Sequence, residues 1–245
     1  MPRRRFYAPP DSIRDGIAVL PPDQAHHLRD VLRLKTRDPV EVFDGEGNGY
    51  AGQVDFHGSE VCIRDLVKLP AEEPPAILIL AAALIKTARF EWMIQKATEL
   101  GVAEIMPLCT RMSDIKLSPG SGGLRLARWD RILKDAARQC GRFSAPRLHT
   151  PLEFSDFLRC QELSACTKLL FYEKASEPWR PDTVLAGDKI VLCIGPEGGW
   201  DVHEIEQAME AGYRTFGLGP WILRAETAAI AAAAIVQHQI SLLRK

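Results

Sequence analysis

Lys189-Ile190-Val191-Leu192-Cys193-Ile194-Gly195-Pro196-Glu197-Gly198-Gly199-Trp200 decides the fold. An apolar run this short, closed by Gly-Pro and Gly-Gly, reads as a buried strand delivered into a tight loop. Val202–Ala211 then repeats apolar residues at helical spacing and stops at Gly212, and Arg214–Leu218 is again a strand. Working outward, Ile77–Ile85 is a buried strand, and Phe90–Leu100 is a helix ended by Gly101. Glu104–Leu108 is a strand, Leu124–Cys140 a helix, Lys168–Tyr172 a strand and Glu226–Leu243 a long alanine-rich helix, with Ser118–Gly123 as a loop. This alternation predicts an α/β domain, a parallel sheet with helices on both faces.

The segment before it has another character. Asp23–Leu34 has helical spacing, whereas Pro39–Phe43, Tyr50–Phe56 and Glu60–Leu69 read as strands around the turn-rich Asp44–Gly49. Together they predict a small β-barrel over residues 1–70. Pro70-Ala71-Glu72-Glu73-Pro74-Pro75 is a linker by composition, which leaves 76–245 as the second domain.

Composition limits the function. The 245 residues are 46% hydrophobic and 26% charged, an ordinary globular balance that excludes disorder and fibres. The longest apolar run, Ala76–Ile85, is about half of what a membrane span needs. The basic N-terminus has no apolar stretch behind it and is not a signal peptide. None of the six cysteines forms a C-x-x-C pair, so metal is not expected and a reduced cytoplasmic protein is. Net charge is −1, but it is segregated: residues 1–37 and 85–150 are rich in Lys and Arg, and 38–70 and 151–223 in Asp and Glu. Gathered on one face, the basic segments would attract phosphate; solvated helix faces are the bland alternative.

Ligands of open α/β sheets bind at the carboxyl ends of strands. Two such ends are unusual here, Gly195–Trp200 and Leu218-Gly219-Pro220-Trp221-Ile222-Leu223-Arg224-Ala225-Glu226-Thr227. Glycine lets backbone approach a ligand, and Glu226 falls where a helix dipole favours a carboxylate. No dinucleotide fingerprint, phosphate-binding loop or nucleophile elbow is present, which disfavours oxidoreductases, nucleotide triphosphatases and serine hydrolases.

These two stretches, with Glu204, resemble signature motifs of the RsmE family, bacterial 16S ribosomal RNA (uracil-N3)-methyltransferases of the SPOUT superfamily. His26–Arg33 with Phe43-Asp44-Gly45, Gln95–Val102 with Pro107-Leu108, and Arg138–Arg142 with Pro146 are similar to further family segments. The family usually has Glu where Arg138 stands and a basic residue where Trp221 stands. The resemblance implies a PUA-like N-terminal barrel, a SPOUT domain with a C-terminal trefoil knot, a homodimer, and S-adenosylmethionine as cofactor. It places the cofactor against Leu170, Phe171, Tyr172 and Glu173; Ile194, Gly195, Pro196, Glu197, Gly198 and Gly199; and Leu218, Gly219, Pro220, Trp221, Ile222 and Leu223.

The chemistry names further candidates. Uracil N3 carries a proton and is a poor nucleophile while neutral, so a cation facing the base oxygens or a base taking the proton is needed. Arg224 and then Arg142 suit the first role, Glu197 and Glu226 the second, although the carboxylates could instead brace a loop and cap a helix. N3 lies on the pairing edge, so the base must be unpaired or flipped out. Arg3, Arg4, Arg5, Arg29, Arg33 and Lys35 are candidates for contact with the RNA, 16S ribosomal RNA in the small subunit. The competing expectations are an inactive rRNA-binding SPOUT protein and a ribose 2′-O-methyltransferase.

Overall fold

The computed structural model describes residues 4–58, 60–70, 74–113, 122–180 and 188–242. Arg3 and most of the Ser118–Gly123 loop lie outside them. The chain forms two compact units, Met1–Glu73 with Lys134–Ala145, and Pro74–Leu133 with Pro146–Lys245.

The first unit is built on one six-stranded sheet: β1 (Arg5–Tyr7), β2 (Ile13–Arg14), β3 (Ile17–Val19), β4 (Pro39–Phe43), β5 (Gly49–His57) and β6 (Glu60–Lys68), in the order β1-β4-β5-β6-β3-β2. β1 runs parallel to β4, and the other pairs are antiparallel. Helix α1 (Pro22–His26) continues through a wider turn over His27–Val31, the helical segment expected at Asp23–Leu34. Phe6, Leu28, Val42 and Ile63 are fully buried in the core. The turn between β4 and β5 is held by Asp44, whose Oδ1 accepts from the amides of Glu46 at 2.7 Å and Asn48 at 3.0 Å.

Strand β1 corrects one expectation. Arg5 reads in the sequence as part of a basic tail for RNA, but it is only 6% exposed. It sits in register with Glu41 on β4, donates to the Glu41 carboxylate from Nε at 2.9 Å and Nη2 at 2.6 Å, and stacks on Phe143 at 4.5 Å. Its guanidinium is spent on the unit's own packing.

The second unit carries a wholly parallel sheet. Its elements are β7 (Ile77–Ala83), α2 (Thr87–Glu99), β8 (Glu104–Cys109), α3 (Gly122–Cys140), β9 (Arg147–Leu148), β10 (Leu152–Glu153), α4 (Phe154–Leu158), β11 (Thr167–Phe171), β12 (Lys189–Ile194), α5 (Val202–Glu210), β13 (Arg214–Phe216) and α6 (Ala225–Leu242). Strand order is β10-β8-β7-β12-β11-β13, with β9 beside β8. Both faces are buried, which is why β7 and β12 read as unbroken apolar runs. Leu78, Leu80, Leu192 and Ile194 face a core shared with α2, α3 and α6, while Ile79, Ala81, Val191 and Cys193 face one shared with α4 and α5. Burial pushes the Cys193 thiol well up, so it stays a protonated, packing side chain.

β11 is followed by β12 on one side of it and then by β13 on the other. After β13 the chain recrosses, and α6 packs on α2, β7 and β12. The alanines of α6 permit this close approach, and Ala229, Ala232 and Ala233 are fully buried.

Candidate functional site

Three strand ends meet at one cavity of about 430 Å3. The end of β11 contributes Phe171, Tyr172 and Glu173. The end of β12 contributes Ile194 and Gly195–Trp200, and the loop after β13 contributes Leu218, Gly219 and Trp221–Arg224.

The loop after β12 is braced from within. Trp200 turns back beneath it and donates its indole N–H to the Phe171 carbonyl at 3.0 Å. Gly195 is required there, because a Cβ would stand 2.8 Å from the Trp200 indole nitrogen. Gly199 takes φ +77° and closes a turn, its amide donating to the Pro196 carbonyl at 3.0 Å. The loop then enters α5 through a capping box. Asp201 accepts from the His203 amide at 3.0 Å, and Glu204 returns to the Asp201 amide at 3.2 Å. Glu204 also accepts from the Arg111 amide at 2.9 Å, which gives this buried residue a structural role.

The loop after β13 is built differently. Gly217 is held on both sides, donating to the Glu177 carbonyl and accepting from the Trp179 amide, each at 2.9 Å. Trp179 packs edge-on against Phe216 beside Phe171. Beyond Gly217, among the described residues, the backbone amides and carbonyls of Leu218–Leu223 make no hydrogen bond within the chain. Trp221 and Ile222 are 81% and 85% exposed.

The charges lining the cavity come from Arg89, Glu173, Glu197 and Arg224. Arg89, in the first turn of α2, pairs through Nη1 with Glu197 Oε1. Its Nε lies 3.7 Å from Oε1 of Glu226, which is only 7% exposed and whose Oε2 is buried without a hydrogen bond. Arg224 is exposed and has no ion-pair partner among the described residues. The two carboxylates considered as bases are thus tied to one guanidinium, whereas Arg224 is not.

Most of the expected cofactor contacts are brought together at this cavity; two are not. Leu170 is fully buried in the core facing α4 and α5, because alternation along β11 turns it away from the cavity. Pro220 is absent from the lining. Of the catalytic candidates, Arg224 and Glu197 line the cavity, and Glu226 lies behind it at the start of α6. Arg142 belongs to the first unit and is not a lining residue. Among the RNA candidates, Arg4, Arg33 and Lys35 are exposed; Arg29 is half-buried and donates to the Gly58 carbonyl at 3.2 Å. Arg89 went unread in the sequence. The signal was available, since it follows β7, whose carboxyl end is also a place for ligand contacts.

No helix among the described residues is long and apolar enough to cross a membrane, and no cluster there could hold a metal. A parallel sheet with a cavity framed by glycine loops at strand ends defines a ligand-binding α/β protein. Its class follows from comparison: a family model described as RNA methyltransferase domain matches residues 72–237. The ribosomal RNA small subunit methyltransferase E of Mesomycoplasma hyopneumoniae is 40% identical over 206 residues, covering 84% of this chain and 87% of its own. That of Bacillus subtilis is 30% identical, covering 91% and 90%. Of solved structures, a Legionella pneumophila methyltransferase in complex with bound S-adenosylmethionine superposes with a TM-score of 0.87 at 31% identity, covering 97% of this chain and 98% of its own. The Neisseria gonorrhoeae ribosomal RNA small subunit methyltransferase E bound to S-adenosylmethionine gives 0.86 at 29% identity, covering 96% and 97%. The chain belongs to the ribosomal RNA small subunit methyltransferase E family, RsmE.

Proposed function

We propose that the protein methylates N3 of a uridine in 16S ribosomal RNA of the small subunit, using S-adenosylmethionine. The observation that carries this reading is the cavity between the two strand-end loops, in a chain whose relatives are named for rRNA methylation. Its volume suits a small-molecule site. The residues fit the cofactor: Gly195–Gly199 offers close backbone, and the unbonded amides and carbonyls of Leu218–Leu223 are free to bond a ligand. Phe171–Glu173 form the third wall. S-adenosylmethionine, when bound, supplies an electrophilic methyl group.

The protein's task is placement and charge. Methyl transfer is an in-line displacement, so holding the reactants in line supplies much of the acceleration. The proton on N3 must leave, and negative charge then spreads to the base oxygens. Arg224, exposed at the cavity and without an ion-pair partner among the described residues, is the donor for that charge. Glu197 and Glu226 serve as framework, because each is engaged by Arg89.

The same reading covers the rest of the molecule. The recrossing of the chain after β13, with α6 seated on α2, β7 and β12, supports a SPOUT-type trefoil knot in 76–245. The N-terminal sheet is consistent with a PUA-like module over 1–70, with Arg4, Arg29, Arg33 and Lys35 facing RNA. The protein works as a cytoplasmic homodimer. The test is incubation with methyl-labelled cofactor and small subunits from a methylase-deficient strain, followed by mapping of the label. Label on N3 of one uridine is expected; label on a ribose hydroxyl, or none, overturns the reading.

A further inference from the structure

Arg89 touches both chain segments that frame the cavity. Its Nη1 holds Glu197, in the loop after β12, and its Nε approaches Glu226 Oε1 at 3.7 Å, in the first turn of α6. The two segments depend on it to different degrees. The first is also anchored by the Trp200 indole. The second, Leu218–Leu223, has no backbone hydrogen bond among the described residues, so its course is set by its ends: Gly217 upstream and the start of α6 downstream. A planar guanidinium presents its donors in a fixed fork, so a single side chain can hold two carboxylates in a defined relation.

Charge adds a second consequence. Among the residues lining the cavity, the cations are Arg89 and Arg224. Without Arg89 the buried Glu226 would be left without a cation, which is costly, and Glu197, exposed at the cavity, would lose the guanidinium it pairs with. With Arg89 removed, Glu197 would turn to Arg224.

Resting on the function above, we infer that Arg89 is a positioning residue. It closes the two loops into one frame, and by pairing with Glu197 and offsetting the charge of Glu226 it leaves Arg224 free for the base. It acts through these groups and takes no part in the transfer itself.

The test uses the full chain as Arg89→Lys, Arg89→Gln and Arg89→Gln/Glu197→Gln. Three quantities are read: cofactor affinity by calorimetry, single-turnover rate on small subunits, and hydrogen exchange of loop amides. Arg89→Gln should weaken S-adenosylmethionine roughly tenfold, slow turnover further, and speed exchange at Gly199 and Ala228, whose amides are hydrogen-bonded within the two segments that Arg89 joins. Arg89→Lys should keep most of the affinity, since one ammonium still neutralises the carboxylates. The double variant should turn over faster than Arg89→Gln alone, because the carboxylate that lines the cavity is gone and only Glu226, behind it, is left without its cation. Wild-type affinity and exchange in Arg89→Gln would overturn the inference. So would a double variant no faster than the single one together with no rescue by Lys, since Arg89 would then be mere scaffolding. If the wild-type chain itself binds no S-adenosylmethionine, the functional reading fails. The clasp is then judged on exchange alone, lost protection in Arg89→Gln supporting it and unchanged protection overturning it.

Discussion

The loops after β12 and β13 look alike in the sequence, each a glycine-bearing link from a parallel strand into a helix, yet they are held in opposite ways. Gly195–Trp200 is a small folded object with an indole strut, an internal turn and a capping box. Among the described residues, Leu218–Leu223 has none of these and presents Trp221 and Ile222 to solvent. Glycine therefore means different things in the two places. Gly195 is small so that Trp200 can pack against it, whereas Gly219 adopts φ +136° in open space. The first loop is an internally braced floor, and the second is a wall whose backbone amides and carbonyls are, among the described residues, unbonded.

Four substitutions probe this difference, beginning with the greatest effect. Trp200→Ala removes a buried indole and strands the Phe171 carbonyl, so unfolding stability should fall by about 3–5 kcal/mol. A denaturant titration checks it, and a loss under about 1 kcal/mol would mean the strut is dispensable. Arg224→Ala, on the other loop, should lower turnover roughly a hundredfold, about 2.7 kcal/mol of lost charge stabilisation, with melting temperature and cofactor affinity nearly unchanged. A parallel fall in all three would show instead that Arg224 holds the loop. Gly195→Ala forces a methyl against the Trp200 indole and should cost about 1–3 kcal/mol of stability, read from the same titration; a neutral result would mean that the indole can shift away. Trp221→Ala should change stability by less than about 0.5 kcal/mol, since the side chain is already in water. A larger loss in the purified protein would show that the second loop is supported by contacts with another copy.

The long elements were legible because their signals are local. β4 and β12 fall where alternation and turn residues put them, and α2, α5 and α6 end within a few residues of expectation. Strands β1–β3, β9 and β10 and helix α4 escaped, being two to five residues long, too short to show a period. Two of the three walls of the cavity were likewise legible, since the loops after β12 and β13 follow from one topological rule about strand ends, whereas Phe171–Glu173 was expected only from the family resemblance. The charge pairings were not. Arg89 and Glu197 are 108 positions apart, and nothing near either residue names the other. Arg5 was misread for a related reason. A run of arginines looks solvated, and only the parallel pairing of β1 with β4 reveals Glu41 beside it.

The order of strands in the second sheet bears on how the chain is made. β7 pairs with β12, whose residues are synthesised roughly 110 positions later, so a ribosome adding about 5–20 residues per second leaves that edge of β7 unpaired for several seconds or more. The bare edge is Ile-Leu-Ile-Leu-Ala-Ala-Ala, an apolar, uncharged template for pairing with other chains. Nascent copies halted before residue 189 are therefore expected to aggregate or to bind chaperones, and copies released after residue 194 to do so less. A member of this rRNA methyltransferase family would thus be most exposed to misassembly while still attached to a ribosome.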